Sequence, residues 1–377
     1  MHVVQIAPPW FPIPPDGYGG IERVIHDLTE GLVAAGHRLT LLAPAGSRTS
    51  ARLIPTVPEG LGLDMTLADK DRAFRESTRA AYATAATLGA DIVHDHTDFV
   101  VEGAFPAPIV HTVHGPATDH HVSLYREMSQ RGDRFVAISA RQRQLFLATA
   151  ERRFGAGEQI AFAGVVHNPT DVAATRFYPG TDKDDYVAFL GRCHWEKAPD
   201  TAIRIAIASG LRLKMALRVT VDEQAYFNAV VRPLLDEAGD LVEFVGEVGG
   251  AEKDALIGRA RAVVFTSPWE EPFGLVLTEA AARGTPVVAF GRGSAPEIVR
   301  DGVTGVLCRT EAEMVAALPR AMALDPAACR AHAEARFSRD AIARRYLDLY
   351  AMVLERAAPA PSAIWAPAPP DAVAAMD

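Results

Sequence analysis

The segment 266–290 places two carboxylates around a predicted helix start, in a spacing that can hold a phosphorylated sugar. A strand is expected to end near the start of this segment, and a loop with Glu271 then leads into a helix that carries Glu279. The first N–H groups of a helix lack intrahelical acceptors, and such a helix start binds anions such as a diphosphate. Glu271 could then accept hydrogen bonds from sugar hydroxyls, and Glu279 from a ribose. The N–H groups expected to be free belong to Phe273, Gly274, Leu275 and Val276.

A second segment, 189–197, supplies positive charge. A predicted strand ends in Gly191, and Arg192 and Lys197 follow in a loop. A guanidinium offers a fork of donors and an ammonium a compact charge, and both suit a diphosphate.

The spacing Glu-x7-Glu around Pro-Phe-Gly resembles the signature of family-4 glycosyltransferases, which are retaining enzymes of the GT-B type. The match extends through Pro-Glu-Ile at 296–298 and DGVTG at 301–305. The resemblance implies that Glu271 holds the donor sugar and that Glu279 binds the nucleotide ribose.

The same resemblance implies that Arg192 and Lys197 contact the donor phosphates. Many relatives have Gly directly after this Lys, whereas this chain has Ala198 and Pro199. The departure concerns the geometry of the loop and leaves both cations in place.

The N-terminal half resembles the same family through its glycine loop, its first helix and a Gly-His turn. Gly19 and Gly20 would let the backbone approach the donor closely. The loop is no dinucleotide fingerprint, because Glu22 stands where a third glycine is required. His114, in HTVHGP, resembles the family histidine that reaches the 6-hydroxyl of the sugar.

Two further positions carry the resemblance towards the linker. Ser139 resembles a family serine that faces the cleft at a strand-to-helix junction. Asn168 resembles a family asparagine before the interdomain linker, but relatives commonly read Asn-Gly there and this chain reads Asn-Pro.

Strand and helix patterns alternate along the chain in two series. This alternation predicts an α/β protein with parallel sheets covered on both faces. Two series predict two doubly wound, Rossmann-like domains that face a central cleft, where ligands bind at the carboxyl ends of the strands. This is the GT-B architecture that the resemblance implies.

The expected boundaries follow from these series. Residues 1–175 form an N-terminal acceptor domain and residues 176–339 a domain that binds the nucleotide sugar. A helix at about 340–356, with an apolar face, is expected to cross back to the first domain. The Ala- and Pro-rich tail, 357–377, is expected to be disordered.

Composition excludes several classes of protein. The formal net charge is −9, which argues against a nucleic-acid binder. No apolar run reaches the roughly 18 residues that a membrane helix needs, so membrane contact is expected to be peripheral at most. The N-terminus lacks the pattern of a signal peptide. Three cysteines without metal or disulfide spacing favour the cytoplasm.

The resemblance implies a retaining glycosyltransferase that needs no metal and no cofactor. A hexose would pass from a nucleotide-diphosphate donor, expected to be a UDP-sugar, to an unknown small-molecule, glycan or lipid acceptor. The catalytic residues that the resemblance implies are Glu271, His114, Arg192 and Lys197. Two alternatives stay open at this point, namely a GT-B nucleotide-sugar epimerase and a non-catalytic nucleotide-sugar binding module.

The segment HDHTD at 94–98 superficially suggests a metal site. No further ligand lies within sequence reach of His94 and His96. A loop at the edge of the cleft is therefore expected.

Overall fold

Two separate parallel sheets confirm the predicted α/β fold with two Rossmann-like lobes. The computed structural model describes residues 1–17, 19–62, 65–100, 103–157 and 160–356. The expected tail lies outside the described residues.

The first sheet has seven parallel strands in the order β3-β2-β1-β4-β5-β6-β7. The strands are β1 (His2–Ile6), β2 (Arg38–Ala43), β3 (Arg52–Pro55), β4 (Ile92–Asp95), β5 (Ile109–Val113), β6 (Arg134–Ala137) and β7 (Phe162–Val165). The periodicity of the sequence did not predict β3, a short edge strand with exposed ends. Edge strands lose the apolar signal of central strands because one side faces solvent.

Within the described ranges, four helices of the N-terminal half cover this sheet. They are α1 (Gly20–Ala34), α2 (Leu67–Ala85), α3 (Asp119–Gln130) and α4 (Ala140–Phe154). The side chains of Thr66, Thr118 and Ser139 accept N–H hydrogen bonds at the starts of α2, α3 and α4. Threonine and serine are favoured at this position because they satisfy donors that the helix cannot.

The second sheet has six parallel strands in the order β10-β9-β8-β11-β12-β13. The strands are β8 (Val187–Arg192), β9 (Leu213–Arg218), β10 (Val242–Gly246), β11 (Ala262–Phe265), β12 (Val287–Phe290) and β13 (Gly305–Cys308). The helices of this lobe are α5 (Pro199–Ser209), α6 (Gln224–Tyr226), α7 (Arg232–Ala238), α8 (Gly250–Gly258), α9 (Leu275–Ala282), α10 (Ala295–Ile298), α11 (Glu311–Met322) and α12 (Pro326–Phe337). A π-turn at Phe227–Val231 joins α6 to α7.

Each sheet reverses its strand order once, and this reversal locates the binding site. The order reverses between β1 and β4 in the first sheet and between β8 and β11 in the second. The loops that leave neighbouring strands there separate, because their crossovers run to opposite faces of the sheet, and a crevice opens at the carboxyl ends. Chemistry is therefore expected in the loops after β1, β4, β8 and β11.

The last helix, α13 (Arg339–Arg356), packs on the first lobe. Its buried face, which includes Ile342, Tyr346 and Tyr350, shares a core with residues of β1, α1, β5 and β6. Gly31 of α1 makes the close approach possible, because a Cβ there would lie 2.9 Å from the carbonyl oxygen of Arg339. Within the described ranges, no helix combines the length and apolar character needed to cross a membrane.

Candidate active site in the cleft between the lobes

Loops at the carboxyl ends of both sheets, including those after β1, β5, β8 and β11, line one cleft of about 440 Å³ between the lobes. The cleft is lined by every residue that was expected to have a catalytic or donor-binding role, namely Gly19, Gly20, His114, Arg192, Lys197, Glu271, Phe273, Gly274, Leu275, Val276 and Glu279. The tertiary structure thus brings together residues that are up to 260 positions apart, as the distance from Gly19 to Glu279 in the sequence shows.

Hydrogen bonds from side chains join the loop after β8 to the loop after β11. Thr266 Oγ1 donates to the carbonyl oxygens of Lys197 and Ala198, at 2.9 and 2.8 Å. Ser267 Oγ donates to the carbonyl oxygen of Glu196 at 2.7 Å. Because the hydroxyl groups are buried, these bonds fix the two charged loops against each other.

Ala198 lies in the left-handed region, with φ 48° and ψ 61°, directly before α5. Glycine adopts this conformation without the steric penalty that a Cβ brings. The glycine common in relatives at this point therefore suits the backbone that the loop adopts here. Alanine keeps the same geometry at a cost in strain, so the departure has not displaced the neighbouring Lys197.

Glu271 is held on one oxygen and open on the other. Its Oε2 accepts hydrogen bonds from Lys197 Nζ and from Trp269 Nε1, the latter at 2.9 Å. No hydrogen bond to Oε1 is found within the described residues. A carboxylate fixed in this way has its second oxygen available to accept hydrogen bonds.

The pairing of Lys197 with Glu271 changes the expected division of work. The family resemblance implies two separate contacts, the lysine with the diphosphate and the glutamate with the sugar. In the structure the two form an ion pair. Lys197 can therefore bind a phosphate in one of two ways: it either keeps its ion pair with Glu271 at the same time or gives that ion pair up.

Helix α9 starts at the cleft with open donors. Its N-cap is Gly274, at φ 78°, and no side chain caps the helix. Over the described part of the chain, the N–H groups of residues 273–276 donate no hydrogen bond to protein acceptors. This start lies in the cleft beside Glu271, so it offers an anion site next to a carboxylate that can bind hydroxyls.

Glu279, one turn into α9, is buried and ionised. Its Oε1 accepts a hydrogen bond of 2.5 Å from Lys253 Nζ, on α8. Burial alone would raise the pKa of Glu279, but Lys253, Arg283 and Arg23 hold it below its usual value. Lys253 also lines the cleft, and the sequence analysis did not identify it.

Arg192 is the last residue of β8 and lies between two carboxylates. Its guanidinium contacts Glu196 Oε2 at 3.1 Å and Glu223 Oε1 at 3.4 Å. Glu223 is itself fixed by a capping box with Thr220, whose N–H donates to Glu223 Oε2 at 3.0 Å. The side chain of Arg192 is 34% exposed, so its guanidinium keeps donors open towards the cleft.

The glycine loop approaches the donor-side helix from the other lobe. A Cβ on Gly20 would lie 3.3 Å from Leu275 Cδ1, at the start of α9. Gly19 has φ 146°, and a Cβ there would lie 2.7 Å from Pro15 Cγ. Beneath the loop, burial raises the pKa of Glu22 to about 7.

His114 follows β5 and pairs with a second histidine at the end of β4. His114 Nε2 lies 3.0 Å from His96 Nδ1. Burial lowers the pKa of His114 to about 4, so the imidazole is neutral near pH 7. The histidine therefore offers hydrogen bonding without charge.

The expected loop at 94–98 is wrong in part, because β4 continues through Asp95. The rings of His94 and His96 lie 4.2 Å apart, because side chains two positions apart in an extended chain point to the same face. No group of three or more His, Cys, Asp or Glu side chains within the described ranges is arranged to hold a metal ion.

Ser139 is buried at the contact between the lobes and does not line the cleft. Its hydroxyl caps α4 and donates to the carbonyl oxygen of Pro272 at 2.7 Å. The expectation that Ser139 faces the cleft is therefore wrong, because capping and the interlobe bond use its oxygen. Asn168 does line the cleft and is buried, and its Oδ1 has no partner among the residues described.

Four contributors to the site escaped the sequence analysis, namely Arg23, His96, Lys253 and Trp269. Each depends on a partner distant in sequence or on a side-chain direction that spacing does not encode. Arg23 and Trp269 were adjacent to assigned motifs, so their types alone could have marked them. Nothing local distinguishes Lys253 from an ordinary surface lysine.

Comparisons with known proteins agree with this geometry. The model described as "Glycosyl transferases group 1" matches residues 173–338, and that described as "Glycosyltransferase Family 4" matches residues 18–153. Glycogen synthase of Mycobacterium tuberculosis (strain CDC 1551 / Oshkosh) is 30% identical over 371 residues, which covers 85% of this chain and 86% of that protein.

Two solved structures are similar over nearly the whole chain. AviGT4, a glycosyltransferase involved in avilamycin A biosynthesis, has a TM-score of 0.68 at 27% identity and covers 94% of this chain and 98% of its own. The Anabaena protein HepE in complex with UDP-glucose has a TM-score of 0.66 at 18% identity and covers 93% of this chain and 100% of its own. With its two parallel-sheet lobes and the carboxylates, cations and helix start gathered between them, the chain belongs to the family-4 glycosyltransferases of the GT-B type.

Proposed function

We propose that the protein transfers a hexose from a UDP-sugar to an acceptor, with retention of the anomeric configuration and without a metal ion. The observation that carries this proposal is the junction of Glu271, Lys197 and the open start of α9 in one cleft. Together they provide a hydroxyl acceptor, a cation and free N–H donors in the same cleft.

The charges of the cleft suit a diphosphate that departs. When the bond between the anomeric carbon and the diphosphate oxygen breaks, negative charge grows on that oxygen. Arg192, Lys197 and the N–H groups at the start of α9 would stabilise it, because fixed donors need no reorganisation during the reaction. This arrangement is also our reason to propose that a metal is unnecessary.

Retention is proposed from the resemblance to the family. The acceptor hydroxyl would form its bond to the anomeric carbon on the face from which the diphosphate leaves. Its proton would pass to the departing phosphate oxygen, so that atoms and charges balance without a protein nucleophile. Glu271 and His114 would hold the sugar in place during this exchange.

The uridine base is proposed with support from HepE, whose structure holds UDP-glucose. Glu279 would accept hydrogen bonds from the ribose on its free oxygen, since Lys253 occupies the other. The acceptor would enter from the N-terminal lobe, past the glycine loop and His114.

Hydrolysis of the donor tests these proposals without knowledge of the acceptor. The purified protein is incubated with UDP-, GDP- and ADP-glucose, with and without EDTA, and free nucleotide is measured. We expect UDP release that EDTA leaves unchanged, and NMR before mutarotation should show the α-anomer of glucose first. Release of the β-anomer would contradict retention, and loss of turnover in EDTA that Mg²⁺ or Mn²⁺ restores would contradict metal independence. Preference for GDP- or ADP-glucose would overturn the choice of base.

A further inference from the structure

A second histidine lies behind His114 and is buried, and no part of the proposed function uses it. His96 is 3% exposed. Its backbone N–H donates to the carbonyl oxygen of Ile6, at the end of β1, at 3.1 Å. Its Nδ1 lies 3.0 Å from His114 Nε2, and the two rings stack with centroids 5.3 Å apart at 28°. The backbone and ring contacts leave His96 little freedom to turn.

On its other face, the ring of His96 packs against the ring of His94. The rings of His94 and His96 are 4.2 Å apart. Both nitrogens of His94 have partners, with Tyr350 Oη at 2.6 Å and Thr112 Oγ1 at 2.7 Å. His94 is therefore held by its own partners on α13 and β5, and it makes no hydrogen bond to His96 among the described residues.

Neutral imidazoles allow two arrangements of this pair. Burial holds the pKa of His96 well below its usual value and lowers that of His114 to about 4. Each ring then has one donor nitrogen and one acceptor nitrogen. Either His96 Nδ1–H donates to His114, or His114 Nε2–H donates to His96.

The environment of His96 Nε2 selects between them. This atom is buried and has no hydrogen-bond partner in the described part of the protein. If His114 donated, His96 would carry its proton on Nε2, and a buried N–H would stay unpaired, which is rarer and more costly than an unpaired acceptor. Donation from His96 leaves only an acceptor unpaired.

We propose that His96 is a positioning residue for His114, whose Nε2 accepts the Nδ1–H of His96 so that His114 presents its own Nδ1–H to the donor sugar. This inference rests on the proposed function, in which His114 faces that sugar. An N–H in this place can donate to a sugar hydroxyl oxygen, whereas the other tautomer would offer a lone pair. His96 would thus set both the orientation and the hydrogen-bond polarity of His114.

Two variants of His96 and one control test the proposal. His96→Leu keeps the bulk and removes the donor. His96→Asn places an amide N–H near the position of Nδ1 and should keep the bond. Tyr350→Phe removes a buried hydrogen bond to His94 without touching the bond to His114, so it reports the effect of lost stability alone.

The first measurement is the tautomer of His114, from 15N-labelled histidine by NMR. We expect the proton of His114 on Nδ1 in the wild type, in His96→Asn and in Tyr350→Phe. In His96→Leu we expect a mixture of tautomers. A wild-type protein with the proton on Nε2 of His114 would overturn the proposal.

The second measurement is donor hydrolysis, with the melting temperature recorded alongside. His96→Leu should lower kcat by about 10- to 100-fold, as expected for a misaligned group, with KM for the donor within about 2-fold. His96→Asn should recover most of kcat, and Tyr350→Phe should lower the melting temperature with kcat unchanged. Equal losses of kcat in His96→Leu, His96→Asn and Tyr350→Phe would show that His96 has a structural role only.

The two measurements separate the inference from the proposed function. If the wild type releases no nucleotide from UDP-, GDP- or ADP-glucose, the proposed function fails, and the tautomer still decides whether His96 sets the proton of His114. If the wild type is active and His96→Leu keeps its kcat and a single tautomer, the proposed function stands and the inference fails.

Discussion

Arg141 of the first lobe and Glu270 of the second form a two-point ion pair across the mouth of the cleft, at 2.8 and 2.9 Å. Beside it, the carboxylate of Glu297 accepts hydrogen bonds from the N–H groups of Ala140 and Arg141, both at 2.8 Å. A carboxylate from one lobe thus caps a helix of the other. These contacts hold the loop before Glu271 against the first lobe.

We expect Glu297→Ala to destabilise the protein more than Arg141→Ala. The Arg141 pair is about 40% exposed on each side, where ion pairs contribute roughly 0–1 kcal/mol. Loss of a capping carboxylate costs about 0.5–2 kcal/mol. Urea unfolding at pH 7 measures both variants, and equal losses would contradict the assigned role of Glu297 as a cap.

The stabilisation from Glu297 should depend on pH. Burial alone would raise the pKa of Glu297, but hydrogen bonds from His167 and from the backbone N–H groups of Ala140 and Arg141 hold the pKa below its usual value. A carboxyl with a lowered pKa in the folded state stabilises the protein above its unfolded pKa of about 4.3, and this contribution is lost as the pH falls through the folded pKa. The difference between wild type and Glu297→Ala should therefore shrink in acid, and a difference that grows there would contradict this reasoning.

Glu271→Gln and Lys197→Met should separate sugar chemistry from nucleotide binding. Loss of the carboxylate frees Lys197 for the phosphates, so UDP affinity should stay equal or increase while turnover falls about 100-fold through misalignment. Lys197→Met should lower UDP affinity by roughly 10-fold or more, since a charged hydrogen bond contributes about 1.5–3 kcal/mol.

Calorimetry with UDP and measured UDP release provide both quantities for this pair. The double variant belongs in the same series, because the effects of substituting the two partners of an ion pair are not additive. If Glu271→Gln loses UDP affinity as severely as Lys197→Met, the carboxylate contacts the nucleotide and not the sugar.

Lys253→Met should make nucleotide binding sensitive to pH. The lysine is the nearest cation to the buried Glu279, and without it burial raises the pKa of that carboxyl. A protonated Glu279 accepts hydrogen bonds from the ribose less well, so the UDP affinity of the variant should fall as the pH drops from about 8 to about 6, the range into which burial can raise a carboxyl pKa. Lys253→Arg is the matched control and should follow the wild type. A flat profile in the Met variant would contradict the assigned role of Lys253.

Ala198→Gly should stabilise the protein slightly. The left-handed conformation costs an L-residue about 1–2 kcal/mol, whereas glycine loses more backbone entropy on folding, by about 0.5–1 kcal/mol relative to alanine. The net gain is then about 0–1.5 kcal/mol, with turnover unchanged. Thermal unfolding checks it, and Ala206→Gly, in the middle of α5, is a control that should destabilise. A loss of stability in Ala198→Gly would show that the strain is smaller than proposed.

The amino-acid sequence by itself determined the alternation of strands and helices, and with it the two parallel sheets. Buried parallel strands such as Ala262–Phe265 are continuous apolar runs between polar loops, and this signal is local. The motif around Glu271 and Glu279 was equally local, because the strand, loop and helix that carry it are consecutive. The sequence therefore predicted which residues surround the cleft.

Only the tertiary structure decided which charges meet. The bond between Lys197 and Glu271 joins residues 74 positions apart, and that between Tyr350 and His94 joins residues 256 apart. Such pairs depend on the strand order and on where α13 packs, which local spacing does not encode. The pairing of His96 with His114 has the same origin, because β4 and β5 are neighbours in the sheet and their carboxyl ends bring the two rings together.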